Sequence, residues 1–394
     1  MTKHLTLAQF YLPALCLVLC ALALARTVNA QSPSITTFDV PASNPYGTVP
    51  DDVNAEGTVV GFYFDANLVA HGFLRSCDGK LTTFDAPGAG TKASDHNGTF
   101  PLGINLFGFV VGYYNDDNLV SHGFVRSPDG QFTTLDEPDA DTNPADQLGT
   151  QAIGINALGV ISGGYTAAPN TPTHGFVRAP SGKYTSFDAS SSDLETIPNG
   201  PVNLEGAIVG YYLDSNLLSH AFVRSPNGTI AGFVGPSSCT TGVTAGCYGN
   251  GDLNINVFGW SVGTFQDNKG DFVGHGFLRR PNGTLTVFDA PGAGNSGMYQ
   301  GTIWSAALTP NGNEVAGLND LGAVAATYLD SSNVYHGFLR SPEGTFTSFD
   351  APGADLTAGD YNGTFPVNIN NSGLIAGFYT DASYVPHGFI REPK

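Results

Sequence analysis

The chain has 394 residues, of which 51 are Gly, 25 are Pro and 12% are charged, with a formal net charge of −19 at pH 7. Hydrophobic residues make up 41%, including 26 Phe and 16 Tyr, enough for a packed core and too many for a disordered chain. The acidic balance excludes a nucleic-acid partner, because 15 Lys plus Arg set among 34 acids cannot neutralise a run of phosphates.

Lys3 and His4 precede an apolar run over residues 12–25, and Val28-Asn29-Ala30 has the small residues of a cleavage site. The pattern predicts a secretory signal peptide over residues 1–30, since the run is short for a membrane span. No second apolar stretch of spanning length follows. The expected product is an exported protein, extracellular or periplasmic, starting near Gln31, with 13 basic against 34 acidic residues and a net charge of −21. Cys16 and Cys20 leave with the leader. Cys239 and Cys247, eight apart in a polar Gly-rich stretch, are expected to form a loop-closing disulfide. Cys77 is then an odd thiol at a turn where sister segments carry Pro.

The rest of the chain repeats one unit. His71-Gly-Phe-Leu-Arg75 recurs at His122, His174, His220 (as His220-Ala221-Phe222), His275, His336 and His387. An upstream Asn-x-x-Gly mark recurs at Asn54, Asn105, Asn156, Asn203, Asn256, Asn319 and Asn370. In the second copy, short runs of Val, Phe, Tyr and Thr bounded by Gly, Asn and Asp predict four strands: 102–105, 110–114, 122–126 and 132–136. Four antiparallel strands repeated about every 50 residues is the sequence form of a propeller blade.

The turn Ser127-Pro-Asp-Gly130-Gln131 fixes the last hairpin. Pairing Ser127 with Gln131 sets His122 opposite Asp136, and equally His71 opposite Asp85, His174 opposite Asp188, His275 opposite Asp289 and His336 opposite Asp350. Val234 takes the Asp position in the fourth copy. The last unit lacks a fourth strand, and the mature N-terminus offers one without a hairpin partner, Ser34-Ile-Thr-Thr-Phe38-Asp39. The expectation is an all-β, seven-bladed β-propeller over residues 31–394, a single domain of four-stranded antiparallel blades. Residues 34–40 join the last blade, with Asp39 opposite His387, and so remove two exposed edges.

With its His-Gly/Ala-Phe core in all seven units, about 360 residues, the chain resembles the bacterial extracellular repeat family named after His-Ala-Phe. The resemblance implies a secreted, propeller-like repeat protein and carries no catalytic residue with it.

In such blades the first-to-second and third-to-fourth turns open on one face, and here they are tight. The other face receives the second-to-third turns and the long connections at 86–102, 137–153, 235–253 and 290–317, and is the expected functional face. Residues present in every blade build blades, so the seven repeat His and Arg read as structural. Tyr63, Tyr114, Tyr212, Tyr328 and Tyr379, eight before the blade His, and the Asp residues six before it, read as turn chemistry at the rim. His96 alone among mature histidines is out of register, in Ser94-Asp95-His96-Asn97-Gly98-Thr99. Aligned loops carry Tyr299, Tyr361 and Tyr46, and Trp304 lies in the longest insertion. Tyr46, His96, Tyr299, Trp304 and Tyr361 are therefore the binding candidates. His96, Tyr299, Tyr361 and Asp95 are the candidates for proton transfer. Trp260 is read as core. Asp139-Ala-Asp141-Thr-Asn143 lacks the Gly and Glu of a calcium hand, so no metal site or cofactor is assigned; calcium held loosely by acidic loops is left open.

The leading expectation is a secreted, monomeric propeller that binds an extracellular glycan or surface protein without chemistry. One alternative is a polysaccharide lyase or glycoside hydrolase using His96 with a Tyr or Asp of the long-loop face. The other is a structural extracellular repeat protein. Whether any reaction is catalysed is undecided by the sequence.

Overall fold

The structure is a computed structural model that describes residues 33–43, 47–93, 97–191, 194–240, 250–269, 271–297, 300–303, 316–359 and 361–393. The expected leader and cleavage site, residues 1–30, lie outside those residues. The described chain is all-β, with 29 strands and no helix.

Its building unit is a four-stranded antiparallel meander. In the second unit the strands are Gly98–Ile104, Val110–Asn115, Ser121–Arg126 and Phe132–Leu135. The first strand thus begins four residues before the predicted Leu102, and the Gly98-Thr99 dipeptide, read in sequence as loop, opens it. The Thr99 hydroxyl explains this start: it accepts the Ala86 N–H at 3.0 Å and so ties the incoming connection to the strand. Thr48, Thr150, Thr196, Thr302 and Thr364 hold the equivalent backbone N–H in their units. Single parallel bridges, such as Ala70 to Gly98 and Tyr335 to Gly363, link the third strand of one unit to the first strand of the next.

The third-to-fourth hairpins adopt the register set by their turns. Gly123 faces Leu135 and Arg126 faces Phe132, continuous with Ser127 N–H bonded to the Gln131 carbonyl at 2.8 Å. The Phe of every His-Gly/Ala-Phe stands two residues after its His and so lies on the same face of the strand, farther from the rim. Phe73, Phe124, Phe176, Phe222, Phe277, Phe338 and Phe389 are all fully buried between units. Burying each ring contributes roughly 1.5–3 kcal/mol.

The first described strand, Ile35–Phe38, pairs antiparallel with the last described strand, Pro386–Arg391, in the register Ile35 to Arg391 and Phe38 to Gly388. The first strand of the chain therefore completes its last meander. A second seam lies at the inner strands. The Asn of each Asn-x-x-Gly turn uses Oδ1 to accept N–H groups within its own turn, and in every unit its Nδ2 donates to the backbone carbonyl of the equivalent Asn in the next. The bonds run from Asn54 to Asn105, to Asn156, to Asn203, to Asn256, to Asn319, to Asn370 and back to Asn54, at 2.9–3.4 Å. They form a closed circuit.

Cys239 is disulfide-bonded; its expected partner Cys247 lies outside the described residues. Cys77, half-buried, is not in a disulfide. Trp260 is half-buried against one core cluster, with the Arg280 guanidinium 5.1 Å from its ring centre.

Candidate functional site

Ionisable residues are concentrated at the rim where second and third strands meet, and the repeat accounts for their geometry. Six of the seven blade imidazoles donate from Nδ1 to a cross-strand Asp. The distances are 2.8 Å for His71–Asp85, 3.1 Å for His122–Asp136, 2.6 Å for His174–Asp188, and 2.8 Å for both His275–Asp289 and His336–Asp350. At the chain's seam, His387 bonds Asp39 at 3.0 Å. His220, whose hairpin offers Val234, turns instead to Asp214 through Nε2 at 3.2 Å.

The tyrosines eight before the blade His are not turn residues, contrary to the sequence reading. Second and third strands pair Tyr63 with His71 and Tyr114 with His122, so the rings stack at 5.2 and 5.0 Å. Tyr212, Tyr328 and Tyr379 do the same. The Asp six before the His does serve its turn: Asp65 Oδ1 accepts the N–H of Asn67 and Val69, while Oδ2 lies 3.7 Å from His71 Nε2. The imidazole thus sits on a phenol ring between two carboxylates. Hydrogen bonding to the cross-strand Asp raises the pKa of His71, His122, His275 and His336 against the opposing effect of burial.

The repeat arginines are likewise structural. Arg126, Arg224, Arg279, Arg340 and Arg391 each lay the guanidinium over the fourth-strand Phe of the preceding unit, at 4.8–5.1 Å from its centre. Arg75 lies over Phe38, which links the first unit to the last meander. Where the preceding unit has Leu135 instead, Arg178 stacks on its own Tyr184 at 5.7 Å. Such contacts are worth roughly 0.5–1 kcal/mol, more where desolvated.

Of the sequence-nominated site residues, Tyr46, Asp95, His96, Tyr299 and Trp304 lie outside the described residues. Tyr361 is described. It sits on the connection into the last unit with φ of +72° and its side chain exposed, and its carbonyl accepts the Thr380 hydroxyl. Among the described residues no three His, Cys, Asp or Glu side chains come together as a metal site, and no helix is long and apolar enough to cross a membrane.

Two cavities stand out. One, about 80 Å³, is axial and receives residues from the inner segments of all seven units, among them Asp52, Gly103, Gly154, Gly200, Ala316 and Asn368. Asp52 in it is half-buried. Burial raises its pKa against bonds from Ile104 N–H, Asn368 Nδ2 and Val53 N–H. The other, about 260 Å³, opens at the long-loop end of the strands between the second, third and fourth units, and is bordered by Gln147, Gln151, Tyr165, Thr173 and Glu195. Sequence reading missed this cavity, and Tyr361 does not line it. The opposite face carries the tight turns expected of it and one feature the sequence reading did not address. Its turns are tight, but they expose apolar side chains near the axis, including Phe107, Leu158, Phe258 and Leu321 at 62–67%.

No family profile matches the chain, and no curated protein matches it. Among solved structures it is similar to a puromycin hydrolase, at 13% identity over 86% of this chain and 51% of that one, with a TM-score of 0.51. It is also similar to a prolyl endopeptidase, at 9% identity over 92% of this chain and 47% of that one, TM-score 0.51. The chain spans about half the length of these two enzymes. A third match is the fungal lectin of Aleuria aurantia, described as a six-bladed β-propeller, at 12% identity over 83% of this chain and 96% of that one, TM-score 0.41. At such identities the likeness concerns fold alone. The repeated four-stranded meanders, with the first described strand completing the last of them, give the described chain a β-propeller architecture.

Proposed function

We propose that this chain is a secreted, seven-bladed propeller of the extracellular His-Ala-Phe repeat type that binds a hydroxyl-rich ligand, a glycan or a glycosylated surface, without transforming it. The signal-peptide pattern of residues 1–30 supports export, and the circuit of seven Asn bonds supports a ring closed by the N-terminal strand. One observation carries the binding reading. The repeated His, Asp, Tyr and Arg groups that could do chemistry are engaged with one another blade by blade. By contrast, the long-loop cavity is bordered by amide and carboxylate side chains suited to hydrogen-bonding a neutral polar ligand.

The test is a glycan array run beside reducing-end and unsaturated-product assays, on wild type and on His96→Ala. Binding without product in both proteins is the expected result. Product released by wild type and lost in His96→Ala would replace binding with catalysis.

A further inference from the structure

The cavity between the second, third and fourth units exists because three residues there break the repeat. At the second-strand position after the repeated Gly (Ala326 in the sixth unit), other units carry Phe62, Tyr113, Tyr211, Thr264, Thr327 and Phe378; the third carries Gly164. At the inner-strand position after the Thr, where others have Val49, Phe100, Ile197, Ile303 and Phe365 and the fifth unit has Gly251, the third carries Gln151. At the inner-strand start, where six units carry Gly, the fourth carries Glu195.

In the seventh, first and second units the same positions form an aromatic plug. Phe62 meets Phe100 at 5.4 Å, Phe100 stacks on Tyr113 at 5.0 Å, and Phe365 stacks on Phe378 at 4.9 Å. Around the third unit that plug is missing and the space is open. The backbone does not demand glycine there. A Cβ on Gly164 would meet nothing nearer than Thr173 Cγ2 at 3.4 Å and His174 O at 3.6 Å, both ordinary contacts. Its neighbour Gly163 has no such freedom, since a Cβ there would stand 2.1 Å from the Gln151 carbonyl. Gly164 therefore leaves room rather than serving a turn.

We infer that this cavity is a ligand site for one neutral sugar unit at the end of a glycan, with Gln151 and Glu195 as its hydrogen-bonding side chains and Ile153 and Ile197 as its apolar wall. The inference rests on the reading of the chain as a binding propeller and deepens it. Three hydroxyls at the rim are already engaged: Thr166 and Thr173 bond each other at 3.2 Å, and Ser121 donates to Asn115 at 2.7 Å. Gln151 supplies two donors and an acceptor, and Glu195 accepts, which matches hydroxyls that both give and take. Desolvation raises the Glu195 pKa, so an incoming hydroxyl donor relieves a carboxylate short of water. The size agrees: drug-sized ligands occupy roughly 300–1,000 Å³, and about 260 Å³ suits a single ring.

The experiment titrates methyl glycosides of the common hexoses, and tetramethylammonium as a cationic control, against the mature protein by saturation-transfer NMR. Carbodiimide labelling of Glu195 is followed by mass spectrometry in parallel. At least one glycoside is expected to bind and to protect Glu195. Gly164→Tyr, which restores the repeat residue, should abolish binding with the melting temperature held or raised. Gln151→Ala and Glu195→Gln should weaken binding by up to about tenfold each, the scale of one hydrogen bond. A glycoside that binds Gly164→Tyr as well as wild type would refute the site while leaving the binding function intact. Tetramethylammonium binding in place of glycosides, lost on the order of a hundredfold in Glu195→Gln, would refute the ligand class. Silence of the glycosides here, with glycans bound on the array, also refutes the site; silence in both assays removes the function.

Discussion

Asn370 offers a direct test of ring closure, because its side chain does two separable jobs. Oδ1 accepts the N–H of Ser372 at 3.0 Å and of Leu374 at 3.1 Å, which shapes its own turn. Nδ2 donates to the Asn54 carbonyl at 3.1 Å, across a sequence separation of 316 residues. Asn370→Asp keeps the first job, since Asp forms the same turn, and replaces the donor with an acceptor facing a carbonyl. The residue is 6% exposed, so the new carboxylate has little water. The lost bond and the unsatisfied carbonyl together predict a destabilisation of about 2–4 kcal/mol at neutral pH. The sign of the pH dependence follows from burial. The folded pKa of the new Asp should lie above its unfolded value of about 3.9, so the penalty is full at pH 7 and fades as pH falls through the folded pKa, when the acid can donate to Asn54. Urea unfolding followed by far-UV circular dichroism, at neutral and mildly acidic pH, measures both effects. Asn156→Asp, far from the chain ends, should behave alike, because Asn156 makes the same bonds to Leu158, Val160 and Asn203. A seam variant within about 0.5 kcal/mol of wild type, the range of ordinary surface substitutions, beside a damaged Asn156→Asp, would mean that the units form an open array.

Further outcomes follow from the same contacts. Because hydrogen bonds to Asp raise the folded pKa of His71, His122, His275 and His336, their contribution is complete below the unfolded value near 6.5 and is lost as pH rises through the folded values. Urea midpoints should therefore fall from pH 6 to pH 9, and imidazole NMR titration of Asp85→Asn should show the His71 pKa falling; an unchanged His71 would refute the pairing. A pair of glycines should respond oppositely. Gly98, at φ of +108° with a Cβ site 2.1 Å from the Ala70 carbonyl, should lose more than about 1 kcal/mol as Ala, whereas Gly164→Ala should be neutral or gain about 0.4–1 kcal/mol. Phe107→Ser and Phe258→Ser, on the exposed short-turn face, should each change stability by no more than about 0.5 kcal/mol in urea unfolding; a larger loss would show that these rings are packed.

The sequence alone determined what hairpin chemistry and repetition determine. The Ser127–Gln131 turn fixes register locally, so the His122–Asp136 contact could be counted off residue by residue, and copying it across units located Asp39 opposite His387. The match of residues 34–39 to fourth strands elsewhere identified the seam for the same reason: an edge strand without a partner must find one. Contacts between units escaped, since no local rule relates residues about 50 apart. Arg126 over Phe84 and Asn105 against the Asn156 carbonyl are visible only once blades are packed. Tyr114 looked like a rim turn because the second-to-third register, which stacks it on His122, is set by a loop without a fixed turn signature. The cavity was the least legible feature. Gly164, Gln151 and Glu195 are unremarkable one at a time, and their departures from the repeat become a site only because folding brings two adjacent blades to one opening.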